Sequence, residues 1–202
     1  MRAPTLPEVQ EQELVDRLRK KDDDAFAVLV DRYHTAMIRL AMTFVPSRPV
    51  AEEVVQDTWV GIIKGIDAFE GRSSLKTWMF RILVNRARTT GERERRTVPV
   101  DDVDVAASDR FAPDGSWSTP VAPWTDDVLD RLFASAVTRQ LRIAIGALPP
   151  HQCRVVTLRD VEGLSASEVC EILGMTEANQ RVLLHRARSQ LRRTIEHEIG
   201  GG

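Results

Sequence analysis

Met175-Thr176-Glu177-Ala178-Asn179-Gln180-Arg181-Val182-Leu183-Leu184-His185-Arg186-Ala187-Arg188-Ser189-Gln190-Leu191-Arg192-Arg193 follows a short helical segment, Ser165 to Leu173, and the turn residue Gly174. Two helical segments around a glycine read as a helix-turn-helix, with this stretch as its second helix. From Ala178 to Arg193 there is no acidic side chain, while Arg181, Arg186, Arg188, Arg192 and Arg193 all sit there, so the surface suits a polyanion. Leu184, Ala187 and Leu191 recur at helical spacing and are expected to bury one face. Asn179, Arg181, Leu183, Arg186 and Arg188 then face outward, where amide and guanidinium groups can meet base edges and phosphates.

The basic helix is at odds with the whole-chain charge. The chain has 202 residues, enough for one ordinary domain or two small ones, and a formal net charge of -2. The charge is unevenly placed. Between Gly71 and Arg96, Arg72, Lys76, Arg81, Arg86, Arg88, Arg93, Arg95 and Arg96 face only Glu92 and Glu94. Between Thr97 and Asp130 lie Asp101, Asp102, Asp104, Asp109, Asp114, Asp126, Asp127 and Asp130 against Arg110. Two basic helices are separated by an acidic connector, and they cancel only in the sum.

Helical periodicity dominates outside that connector. Glu8 to Lys20 carries Leu14, Val15 and Leu18 on one side. The cluster Asp22 to Asp24 can cap a second helix running through Phe44, with Phe26, Leu29, Val30, Tyr33, Met37 and Leu40 inward. A third helix starts near Pro49 and runs to about Ala68, with Val55, Trp59, Ile62, Ile63 and Ile66 as its apolar stripe. A fourth, from about Ser74 into the Arg93 region, buries Leu75, Trp78, Met79, Ile82 and Leu83, while Arg81, Asn85 and Arg88 lie on its other side. From Thr97 to about Asp126, Pro99, Pro113, Pro120 and Pro123 break every helical period, which reads as an extended linker. Trp117 and Trp124 suggest that it docks somewhere. Helices near Val128 to Leu148, Pro150 to Val161, Ser165 to Leu173 and Thr176 to His197 complete the chain. The expected fold class is all-α: two small helical domains, 8–96 and 128–198, joined by an acidic Pro-rich linker, 97–127.

Several chemistries are disfavoured. No apolar run approaches the ~20 residues that span a bilayer, and the N-terminus lacks a basic region followed by an apolar one, so a cytoplasmic protein is expected. Cys153 and Cys170 are too few for a disulfide framework. His151, Cys153, Cys170 and His185 include metal-ligand types, but no CxxC occurs, so buried thiols are the reading and no metal is expected. There is no Gly-rich phosphate loop, nucleophile elbow or Ser/His/Asp pattern. No catalytic residue and no cofactor is expected, and the chain does not read as an enzyme.

Four segments in order carry a family resemblance. They are Asp24-Ala25-Phe26-Ala27-Val28-Leu29-Val30-Asp31-Arg32-Tyr33; Ala51-Glu52-Glu53-Val54-Val55-Gln56-Asp57-Thr58-Trp59; Phe69-Glu70-Gly71-Arg72-Ser73-Ser74-Leu75-Lys76-Thr77-Trp78-Met79-Phe80-Arg81-Ile82-Leu83-Val84-Asn85; and the helix-turn-helix with Leu148-Pro149-Pro150 before it. Together they resemble extracytoplasmic-function (ECF) sigma factors, the small two-domain members of the sigma-70 family, over about Lys20 to Arg96 and Asp130 to Arg193. The resemblance implies a sigma-2-type and a sigma-4-type domain, and a factor that directs core RNA polymerase to promoters and assists melting. It implies that Glu52, Glu53, Gln56 and Asp57 dock on the polymerase clamp helices, an acidic, amide-bearing face meeting a basic one. It further implies that Phe69, Arg72, Ser73, Lys76 and Asn85 capture bases of the melting minus-ten element, with Arg81 and Arg88 on strand phosphates. Trp78 reads rather as core.

In the second domain the resemblance implies minus-thirty-five recognition in the major groove. Glu177, Ala178, Asn179, Gln180 and Arg181 are expected at base edges, and His185, Arg186 and Arg188 on the backbone. Here the chain departs from the commonest pattern. Gln180 occupies a usual core position, and Leu183 stands where a base or phosphate contact is frequent. Family habit adds an anti-sigma protein as partner. The acidic linker fits either a solubilising spacer or a polyanion mimic inside a polymerase channel. Two rivals stand beside this reading. A helix-turn-helix regulator acting without polymerase leaves the first-half motifs unexplained, and a nucleic-acid-modifying enzyme that holds a metal on the acidic segment would need Asp101 or Asp102.

Overall fold

The computed structural model describes residues 6–97 and 136–199. The acidic linker, its two tryptophans, Asp101, Asp102 and the expected helix start at Val128 lie outside the described residues. The described residues form helices and the turns that join them, with no strand among them. In the first half, α1 is Leu6–Arg19, α2 Asp23–Ala41, α3 Arg48–Gly65 and α4 Leu75–Thr97, with a 3-10 turn, Ile66–Ala68, after α3. In the second half, α5 is Ala136–Gly146, α6 Pro150–Val156, α7 Ala166–Leu173 and α8 Glu177–Ile199. α6 runs on into a wider, π-type turn, Thr157–Val161.

The helix ends follow local chemistry. Asp22 caps α2, its carboxylate accepting from the Ala25 N–H at 3.1 Å, and Pro49 sits in the first turn of α3, where a missing N–H costs nothing. α2 ends at Ala41, short of the expected Phe44. Ser165 and Glu168 form a reciprocal capping box on α7. Gly174 ends α7 in the left-handed region, φ 65°, a conformation that a Cβ disfavours, and this glycine makes the turn into α8.

In the first half, Leu29, Met37, Leu40, Ile62, Met79, Phe80 and Leu83 are fully buried, so α2, α3 and α4 share one core. Ile63 is a correction: its spacing puts it in the apolar stripe, yet it is half-exposed, at the lip of a cleft that it lines with Leu18, Phe26, Ile62 and Ile66. Gly91 marks a close approach. A Cβ there would run into the Phe44 carbonyl oxygen. In the second half, Val155, Val156, Leu158, Val169, Ile172 and the α8 residues Leu184, Ala187 and Leu191 are buried, as the helical spacing of the last three predicts. The two halves touch, with α7 packed along α4.

Candidate nucleic-acid interface

α3 presents Glu53 and Gln56 to solvent, and Asp57 is 67% exposed beside Arg86, 3.7 Å away. Glu52 is tied to Arg48 of its own helix at 2.9 Å. The four residues expected to meet polymerase therefore lie along one side of α3, and none is sealed in the core. Val54, Asp57, Ile82, Asn85 and Arg86 line an open cleft between α3 and α4, so this side adjoins Asn85.

The loop before α4 sorts its candidates unequally. Phe69 is only 6% exposed, and its ring packs against Trp78 with centroids 5.3 Å apart. Its carbonyl accepts from Arg19 at 2.6 Å. This geometry makes Phe69 a wall of the loop rather than a free stacking face, a correction to the sequence-based expectation. Trp78 is half-buried and packs against the core from its edge. Arg72 is 85% exposed, with Glu70 at 3.1 Å, and Ser73 is partly buried beside it. Gly71, φ 69°, lets the loop turn back toward α4.

Along α4, Lys76, Arg81, Asn85 and Arg88 form a ridge with Ser74 and Thr77 at its start. The ridge is already engaged by the second half of the chain. The Lys76 ammonium lies 2.9 Å from a Glu162 carboxylate oxygen and donates to the Glu162 carbonyl at 2.6 Å. Arg81 meets Glu171 at 3.1 Å, and Arg88 donates to the Leu173 carbonyl at 3.1 Å. Thr77 and Ser74 hydroxyls donate to Glu168 at 2.7 and 3.1 Å. Burial alone would raise the Glu168 carboxyl, but the Ser165 N–H, the Thr77 hydroxyl and the Ser165 and Ser74 hydroxyls outweigh it and hold it at about 2. Glu162, Glu168 and Glu171 are the partners that sequence reasoning missed. Only Glu168 carried a legible signal, the Ser-x-x-Glu pattern of a capping box, and that concerns its own helix.

On α8, Glu177, Ala178, Asn179, Arg181, His185 and Arg186 are exposed along one side. Gln180 is corrected: at 4% exposure it belongs to the buried side, and its amide nitrogen has no hydrogen-bond partner. Leu183, expected outward, is half-buried against the core. Arg188 is exposed yet held bidentately by Asp160, at 2.6 and 2.9 Å. Among the described residues no group of His, Cys, Asp or Glu could hold a metal ion, and no helix is long and apolar enough to cross a membrane. Cys153 is buried, and burial pushes its thiol up to about 11.

Residues 29–97 match the family model of sigma-70 region 2, and residues 138–191 that of sigma-70 region 4. The ECF RNA polymerase sigma-E factor of Salmonella typhimurium is 30% identical over 94% of this chain and 96% of its own length. The chain belongs to the sigma-70 family. It is an RNA polymerase sigma factor of the ECF type and acts in transcription initiation. The sigma-E factor of Escherichia coli K12 is likewise 30% identical over 190 residues, and that of Haemophilus influenzae 29% over 97% of its length. Two solved structures share the fold. The Bartonella quintana sigma factor RpoE, in complex with the anti-sigma factor NepR, has a TM-score of 0.59 at 22% identity and covers 85% of this chain and 96% of that one. CnrH, in complex with the cytosolic domain of CnrY, has a TM-score of 0.57 at 22% identity and covers 92% and 97%.

Proposed function

We propose that this sigma factor divides its work between a domain at 8–96, a linker at 97–127 and a domain at 128–198. In the first, Glu52, Glu53, Gln56 and Asp57 dock on core polymerase. Arg72, Ser73, Lys76, Arg81, Asn85 and Arg88 hold the minus-ten strand as it melts, with Phe69 shaping the loop. In the second, Glu177, Ala178, Asn179 and Arg181 read the minus-thirty-five duplex, and His185, Arg186 and Arg188 grip its backbone. Gln180 acts from beneath, fixing the helix rather than touching DNA.

The observation that carries this reading is a pair of cationic surfaces, the α4 ridge and the outer side of α8, on separate halves of one chain. An acidic face on α3 complements them. Phosphate contacts position such surfaces, and the few amide and carboxylate groups among them supply base preference. The factor carries no catalytic group of its own and works in the cytoplasm. RNA synthesis belongs to the polymerase. An anti-sigma protein is the expected regulator, in keeping with the complex in which the Bartonella relative was solved.

Run-off transcription with purified core polymerase on promoters of the native host tests the assignment. The chain should co-elute with core and support initiation. If it forms no complex and initiates nowhere, the reading fails. Tight sequence-specific binding that ignores core would favour a stand-alone regulator instead.

A further inference from the structure

The cross-domain contacts fall on the side chains that the proposed function assigns to the melted strand. Glu162, Glu168 and Glu171 approach α4 from the second domain and meet Lys76, the Ser74–Thr77 hydroxyl pair and Arg81 in register. The Leu173 carbonyl continues the series at Arg88. Glu162 is the most enclosed of these: its side chain is 9% exposed and also lies 3.5 Å from Arg39. A second edge is fastened by Arg154, which donates to the Thr43 carbonyl at 2.6 Å and lies 3.8 Å from the Phe44 ring centroid. Anionic or carbonyl oxygens thus sit along α4 where phosphate oxygens of a strand would have to lie. By contrast, Asn179, Arg181, His185 and Arg186 on α8 stay exposed.

Resting on the minus-ten reading of α4, we propose that the second domain is an internal, reversible occupant of the strand-binding surface, with Glu162, Glu168 and Glu171 standing in for phosphates. Single-strand capture then requires the two domains to part, while the α8 surface is available in both arrangements. A ligand that binds only the parted state is weakened by the fraction of molecules in that state. The latch is built from charge pairs and hydrogen bonds between separate domains, so competing contacts with polymerase or DNA can release it.

The test uses the full chain carrying Glu162→Gln, Glu168→Gln and Glu171→Gln together. Glutamine keeps the size of each side chain and, at 168, can still serve the capping box. A control with Glu13→Gln, Asp24→Asn and Asp31→Asn changes net charge equally at exposed positions on α1 and α2. The probe is a fluorescent single strand of twelve randomised nucleotides, read by anisotropy, with small-angle scattering for the radius of gyration. The latch variant should expand and bind the strand about tenfold or more tightly than the control, with unchanged helicity and no comparable gain on duplex. A radius and an affinity equal to the control's overturn the proposal and leave the minus-ten reading standing. Expansion without tighter strand binding also overturns it. If Lys76→Ala in the expanded variant is then silent on the promoter with core polymerase, the minus-ten reading falls as well.

Discussion

Asp160 grips Arg188 through both carboxylate oxygens, at 2.6 and 2.9 Å, and so ties the wide turn after α6 to the middle of α8. The family resemblance implies that Arg188 grips the DNA backbone, yet its charge is already paired, which raises its pKa chiefly through the hydrogen bond to Asp160. Bidentate pairing fixes the direction of a guanidinium as well as its charge. The same side chain can therefore orient α8 and still present an edge to DNA.

Asp160→Asn separates these roles. The pair is exposed, so the substitution should cost less than about 1 kcal/mol in thermal or urea unfolding. The unpaired Arg188 would then take up a phosphate, steepening the salt dependence of duplex binding by roughly one counterion on a log–log plot. An unchanged slope would mean that Arg188 already contacts phosphate despite Asp160, or never does. Arg188→Ala, which flattens the slope only in the first case, decides between them.

Arg186 and Asn179 are exposed on the same side of α8, but their chemistry differs. Arg186→Ala should weaken binding to all duplex sequences alike and lower the salt slope by about one. Asn179→Ala should leave the slope alone and change preference at particular upstream bases, by about 1–3 kcal/mol where an amide pairs with a base edge. Binding titrations at several salt concentrations, with selection from a randomised upstream element, distinguish the two.

The all-helical fold was legible because the apolar period is unbroken in each helix. Val15, Leu29, Met37, Ile62, Met79, Leu83, Leu184, Ala187 and Leu191 all point where their spacing puts them. Local side-chain chemistry marked the boundaries less well: Phe44 and Val45 keep the apolar pattern of α2 but sit in turns beyond its end. The site was legible as residue types and not as partners. Lys76 and Arg81 announce a cationic ridge, but nothing local says that Glu162 and Glu171, 86 and 90 positions away, will neutralise it. Gln180 shows the other gap. Its polarity suggests a base contact, whereas its place one turn before Leu184 puts it inside, and burial wins because α8 has only one side to pack.

Gly91 gives a test of packing with an unusual sign. In an ordinary helix interior, Gly→Ala stabilises by roughly 1 kcal/mol. Here the added methyl would meet the backbone oxygen of Phe44, which no side-chain rotation can move aside. Gly91→Ala should therefore destabilise the first domain by about 1–3 kcal/mol in chemical denaturation. A neutral or stabilised variant would show that α4 and the end of α2 are less closely apposed.

Cys153 ties stability to alkaline pH. Burial raises its thiol to about 11, with the Thr157 hydroxyl and Arg154 opposing. The folded state thus holds its proton more firmly than the unfolded chain, whose thiol titrates near 8.5. The contribution is complete below about pH 8.5 and is lost as pH rises through about 11, at up to about 1.4 kcal/mol per pH unit. Urea unfolding between pH 8 and 11 should show a fall in stability that Cys153→Ala reduces. At pH 8 a thiol reagent should find Cys170, which is only partly buried, at once, and Cys153 only when the second domain opens. Equal rates at both sulfurs would place Cys153 at the surface and remove the alkaline term.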